Sequence, residues 1–258
     1  MRLKLRKVWV LSRLIVHVFY GFLVVWIFWP FLNCVRKESV ERRWAQQLLS
    51  ILNVQIRVVY ESPESNYSIH KPCLLYCTHV SWLDVFAFNS IHPVTFIAKS
   101  EISKWPIAGF LAKRSGTLFI ERGRRHAVRD VIHAAVKVLG SGRCVAVFPE
   151  GTTGAGDVPL SFHSNFVQPA INAKVSLLPV GIRYFSSDGR FSTEPAFIGE
   201  QSLLENLQVL LNSSTGYVVQ LYIHKPIQTE SRTRHELSDE AYLAIRSVFM
   251  SSSILHPN

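Results

Sequence analysis

The sequence predicts an α/β fold with a largely parallel central sheet flanked by helices and an N-terminal membrane-anchoring helical segment. Three observations predict it. From residue 74 onward, short apolar runs of strand length alternate with segments of helical periodicity, the trace that βαβ units leave in a chain. Polar motifs follow directly on several of those runs, where the carboxyl ends of parallel strands line a ligand crevice. Ahead of them, residues 14–32 are apolar or aromatic throughout, interrupted only by His17, Gly21 and Pro30.

At about 1.5 Å of rise per residue, a helix of that length approaches the roughly 30 Å of a bilayer core. Trp9, Tyr20, Trp26 and Trp29 add rings suited to a membrane interface. No small-residue cleavage site precedes Asn33, so the segment is expected to be a retained anchor. Arg2, Lys4, Arg6, Lys7 and Arg13 lie before it, and Arg36, Lys37, Arg42 and Arg43 after it. With both flanks basic, a bent or re-entrant anchor is favoured, turning near Gly21 or Pro30 and keeping both flanks on one face.

A basic amphipathic helix is expected over residues 39–52 and closes the N-terminal unit, residues 1–52; the main domain is residues 53–258. Its strands are expected at 54–60, 74–77, 94–98, 117–120, 144–148 and 176–182, the last carrying Pro179 and Gly181. Between them come helices after Ser81, near 107–113 and over 125–139. Residues 217–224 read as a late strand near the sheet edge and 236–250 as a closing helix.

Twenty-eight Lys and Arg against eighteen Asp and Glu give a net charge of +10, so the surface should attract something anionic. The apolar anchor and the lack of any nucleic-acid motif point to lipid rather than nucleic acid. Cys34, Cys73, Cys77 and Cys144 show no disulfide framework and suit a reducing compartment. Cys73, Cys77 and His79 are close in sequence, but no further paired ligands complete a zinc site, so no metal is expected.

Chemistry concentrates after residue 77. His79 and Asp84 are five residues apart, which on a regular helix sets them roughly 140° from each other, so both cannot lie in mid-helix. Ser81-x-x-Asp84 reads as a capping box, with Ser81 the N-cap and Asp84 the third helical residue. His79 then sits in the preceding turn, where the carboxylate can reach back to it. An imidazole oriented in this way is a general base; the competing reading leaves Asp84 as a helix cap alone.

Four segments then resemble, in order, the blocks of the glycerolipid acyltransferase family, which includes 1-acyl-sn-glycerol-3-phosphate acyltransferases. They are His79-x4-Asp84, residues 116–122 ending Ile120-Glu121-Arg122, Phe148-Pro149-Glu150-Gly151-Thr152, and residues 178–182. Residues 98–101 and 105–109 are similar to the family's intervening stretch, so the likeness runs from about residue 72 to 182. It implies transfer of a fatty acyl group from acyl-CoA or acyl-carrier protein, as donor substrate, to a lysolipid hydroxyl, with no other cofactor. By this resemblance, His79 is the base, Asp84 its orienter and Arg122 the grip on an acceptor phosphate. Glu150, Gly151 and Thr152 shape the acceptor side, and Lys99 or backbone amides meet the oxyanion. It also implies a membrane location with the catalytic domain on the cytosolic face, in a bacterial inner membrane.

The chain departs from the family after Thr152, where phosphate-acceptor members commonly carry arginine and then serine; here Thr153 and Gly154 follow. 1-acyl-sn-glycerol-3-phosphate is the leading acceptor expected, and a lyso-ornithine lipid, whose branch Glu150-Gly151-Thr152-Thr153 resembles, is the second. A lipid hydrolase using Ser81 or Ser164 lacks any Gly-x-Ser-x-Gly elbow. A non-catalytic membrane-binding protein is opposed by the intact His79 and Asp84.

Overall fold

The computed structural model describes residues 2–62, 71–121 and 125–250. Helix α1 (Arg2–Ile27) runs unbroken through Gly21, and the chain turns only at Phe28, where Pro30 lies in the short 3-10 segment Trp29–Phe31. Of the two expected turning points, Pro30 is the one used. Gly21 serves close approach instead: a Cβ there would meet Trp44 Nε1 at 2.4 Å, so only glycine lets α2 (Cys34–Ile51) close on α1. His17 and Trp44 stack at 5.0 Å and exchange hydrogen bonds with each other's carbonyl oxygens at 3.1 and 3.3 Å. Helix α2 starts earlier than expected because Asn33 caps it, accepting the Arg36 N–H at 3.0 Å.

The sheet has seven strands in the order β1–β7–β6–β2–β5–β3–β4. These are β1 (Val54–Tyr60), β2 (Cys73–Cys77), β3 (Thr95–Lys99), β4 (Leu118–Ile120), β5 (Val145–Val147), β6 (Ser176–Ser186) and β7 (Tyr217–Ile223). Neighbours pair in parallel except β6 with β7, so the expected largely parallel sheet holds, and β7 lies near the sheet edge as expected, one strand in from β1. Strand β6 extends beyond its expected end because Arg183 to Ser186 find partners on antiparallel β7. The connecting helices are α3 (Leu83–Ile91), α4 (Ala108–Arg114), α5 (Arg125–Gly140), α6 (Gln168–Ala173), α7 (Leu203–Asn212) and α8 (Arg234–Met250). Helix α7 was legible in its Ser202/Glu205 capping box yet is absent from the sequence reading.

Every residue of β2 is buried, because helices cover both sheet faces. Leu75, Cys77, Leu178 and Val180 pack with α2 and α3 on one side, and Leu74, Tyr76, Val145 and Leu177 with α5 and α8 on the other. Helix α1 lies along this body with both ends tied down. Arg6 donates to the carbonyls of Leu211 at 2.9 Å and Ser214 at 3.2 Å, beside the start of β7. At the far end Phe22 meets Phe110 of α4 at 5.2 Å, and Trp29 Nε1 donates to the Arg114 carbonyl at 2.8 Å. Val8, Ile15, Phe19 and Trp26, spaced to fall on one helical face, remain exposed.

Candidate active site

The parallel strands end at one pole, and the turn after β2 is pinned there. The Thr78 N–H donates to the Val180 carbonyl at 3.1 Å, and Thr78 Oγ1 accepts the Ile182 N–H at 2.8 Å. His79 follows with its backbone fixed on both sides: its N–H donates to Glu150 Oε2 at 2.7 Å and its carbonyl accepts the Gly154 N–H at 2.8 Å. The imidazole lies flat on Phe148, with ring centroids 3.8 Å apart and planes 8° from parallel. One-fifth of the side chain is exposed, at 20%.

Asp84 is fully buried in the first turn of α3. Its Oδ2 accepts from His79 Nδ1 at 2.8 Å, the Val80 N–H at 2.8 Å and the Ser81 N–H at 3.0 Å; its Oδ1 accepts the Tyr184 hydroxyl at 2.7 Å. The expected capping box is half present. The carboxylate does bend back to the Ser81 amide, but the helix begins at Leu83, and the Ser81 hydroxyl faces the Leu83 N–H at 3.4 Å rather than that of Asp84. Asp84 therefore caps the helix and orients His79 at once. With Nδ1 donating to Asp84, the lone pair of His79 sits on Nε2, which makes no hydrogen bond among the described residues.

Glu150, 7% exposed, closes the other side of the turn. Its Oε1 accepts the Leu160 N–H at 2.7 Å while Oε2 holds His79, and burial pushes its pKa up to about 7 against the pull of these two donors. Gly151 has φ 66°, the left-handed region that a sharp turn after β5 requires. The loop then crosses over the pole, and Gly156, at φ 80°, passes so close that a Cβ would meet the Val80 side chain at 3.2 Å.

His79, Asp84, Glu150 and Gly151 thus come together. Thr152 is exposed on the loop, and Lys99 is exposed at the carboxyl end of β3 on the same pole. Arg122 lies outside the described residues. The Thr153 hydroxyl donates to the Phe197 carbonyl and so is turned into the loop packing. Ser81 is buried within the α3 cap, and Ser164 pairs with His235 at 3.3 Å, so neither forms a nucleophile–base pair with His79. Cys77 is buried in the core, and Cys73 lies 3.7 Å from Cys144, sulfur to sulfur.

Tyr184 and Phe148 were missed as site residues. Phe148 stood in the third block as the residue before Pro149, and the alternation in the first part of β6, continued to Tyr184, would have set it on the same face as Val180 and Ile182.

Residues 55–183 match the Acyltransferase family. Over 210 residues the chain is 35% identical to the lyso-ornithine lipid O-acyltransferase of Pseudomonas aeruginosa, spanning 81% of this chain and 78% of that one. It is 30% identical over 200 residues to the 1-acyl-sn-glycerol-3-phosphate acyltransferase of Neisseria gonorrhoeae, spanning 78% and 76%. The crystal structure of the 1-acyl-sn-glycerophosphate acyltransferase of Thermotoga maritima shares the fold, with a TM-score of 0.67 over 98% of both chains at 20% identity.

Proposed function

The chain belongs to the acyltransferase family, and on that premise we propose that it moves a fatty acyl group from a thioester to the free hydroxyl of a lysolipid, with His79 as general base. The observation that carries this reading is the 2.8 Å contact of His79 Nδ1 with Asp84, which leaves Nε2 as the proton acceptor. Nε2 takes the proton of the acceptor hydroxyl as its oxygen attacks the thioester carbonyl. Collapse of the tetrahedral intermediate breaks the carbon–sulfur bond, and the imidazolium returns its proton to the departing thiolate. No acyl-enzyme is needed. Asp84, locked by four donors, keeps the ring in register through both proton transfers. Glu150 and Gly151 hold the loop that shapes the acceptor side, Thr152 and Lys99 stand at its rim, and Arg122 is assigned to the acceptor's anion.

Of the two acceptors, this reading favours a lyso-ornithine lipid over 1-acyl-sn-glycerol-3-phosphate. Thr153 stands where phosphate-acceptor members commonly carry arginine, and its hydroxyl is spent on Phe197. The relative at 35% identity bears the lyso-ornithine name, and the one at 30% the phosphate acceptor. A charge-assisted contact is worth about 1.5–3 kcal/mol, so the missing cation lowers phosphate affinity by roughly tenfold or more.

The enzyme sits on the membrane through α1, which lies in one leaflet: both its ends are bonded to the catalytic body while its outer face is apolar. The face we propose is the cytosolic one, where acyl-CoA or acyl-carrier protein supplies the thioester. The net charge of +10 suits anionic headgroups and an acidic carrier alike. The test is acyl transfer by purified protein to both lysolipids in parallel, with His79→Ala as blank. Preference for lysophosphatidic acid would reverse the acceptor assignment, and transfer that survives in His79→Ala would remove the base.

A further inference from the structure

Between β3 and α4 the chain makes a turn whose shape is costly and whose tip is apolar. Trp105 is 42% exposed and Ile107 38% exposed, with exposed Pro106 between them. Ile107 has φ 58° and ψ −62°, and the Ala108 N–H donates to the Pro106 carbonyl, which makes Ile107 the centre of a γ-turn of the rare, strained hand. A β-branched residue in that region is an outlier that persists only when its surroundings impose it. They do so here. The Gly109 N–H donates to the Trp105 carbonyl at 3.0 Å and the Leu111 N–H to the Ile107 carbonyl at 2.8 Å. Gly109 seats so closely on the preceding turn that a Cβ would lie 2.6 Å from the Ser103 carbonyl oxygen. A rigid base thus holds two large apolar side chains out toward solvent at the pole that bears His79.

We propose that this turn is a second membrane contact, inserting Trp105 and Ile107 into the lipid interface so that the catalytic pole is pressed against the bilayer surface. The proposal rests on the reading of the chain as a membrane-bound lysolipid acyltransferase. Continuity favours lipid as the occupant: Phe110 of α4 packs on Phe22 of α1 and the Arg114 carbonyl accepts from Trp29, so the turn is joined to the end of α1 where Trp26 and Phe28 are also exposed. Charge favours it too, since Lys104, Lys113 and Arg114 stand exposed around the turn, complementary to anionic headgroups. Tryptophan belongs at this depth, where a ring with one polar edge meets headgroup and acyl chain together. The consequence for catalysis is access: a lysolipid lifted from the leaflet beside the turn would have its hydroxyl delivered at the His79 pole without leaving the surface.

The test uses full-length protein and vesicles containing an anionic phospholipid, with brominated acyl chains as quencher. Wild-type tryptophan fluorescence should be quenched, and Trp105→Phe should lose a measurable share of that quenching while still binding vesicles. Ile107→Gly supplies the second arm, because glycine adopts a positive φ without strain. It should melt no lower than wild type, yet turn over an acceptor embedded in vesicles about threefold to tenfold more slowly, with unchanged turnover of a short-chain acceptor in free solution. Unchanged quenching in Trp105→Phe would overturn the insertion while leaving the membrane-bound reading intact. Wild-type protein that fails to bind vesicles would overturn both. A lowered melting temperature in Ile107→Gly would show that the isoleucine is held by packing rather than presented to lipid.

Discussion

The turn after β2 and the turn after β5 each bury one carboxylate at the same pole, and they treat it differently. Asp84 receives two backbone amides, one imidazole and one phenol, so most of its acceptor capacity is used and half of it by side chains. Glu150 receives two backbone amides, one on each oxygen, and burial outweighs them enough to raise it to about 7. The difference teaches that one carboxylate is built to aim the His79 ring and the other to hold the peptide on which that ring is carried. Both contact the same residue, Asp84 through its ring nitrogen and Glu150 through its amide.

Substitutions can break or sharpen that contrast. His79→Ala should lower turnover by about 10⁴-fold while leaving the protein folded and membrane-bound, as read by steady-state kinetics and membrane fractionation. Asp84→Asn should cost about 10²–10³-fold in kcat with little change in the thioester's KM, because an amide NH2 must face one of four donors and the ring loses its aim. An altered KM at full kcat would instead make Asp84 a binding residue.

Tyr184→Phe removes one donor from Asp84, whose hydrogen bonds to a buried charged group are each worth about 1.5–3 kcal/mol. A roughly tenfold fall in kcat is expected, together with a lower urea midpoint. The smallest effect on turnover should come from Glu150→Gln, a few-fold at most, but it should change how stability depends on pH. Glu150 holds its proton more tightly in the folded chain, at about 7, than at its ordinary value of 4.5. Its contribution is therefore complete below about pH 4.5 and is lost as pH rises through about 7, by an amount on the order of 3 kcal/mol. Urea unfolding at pH 5 and pH 8 should show that slope in wild type and a flatter one in Glu150→Gln.

What could be read from the chain alone follows how local each feature is. The His79–Asp84 contact spans five residues and needs only a strand end and a helix start, both visible in apolar periodicity and a capping pattern. The partners that complete the site are distant: Glu150 is 71 residues from His79, and Tyr184 is 100 from Asp84. Glu150 was reached through its block, but its grip on the His79 amide depends on β5 lying beside β2, an adjacency no local pattern encodes. Gly21 shows the same limit. In the sequence it reads as a break in an apolar helix; its reason, the indole of Trp44, belongs to another helix.

Edge strand β1 is completed by β7, Val54 pairing with Tyr217, and Arg6 of α1 is held by carbonyls at Leu211 and Ser214. On a ribosome adding roughly 5–20 residues per second, the partners of both arrive about ten to forty seconds after the segments that need them. During that interval α1 and α2 have emerged together while the carbonyls that hold Arg6 have not yet been made. The order of synthesis therefore lets α1 and α2 pair first, and the rest of the chain closes onto a helix pair already formed.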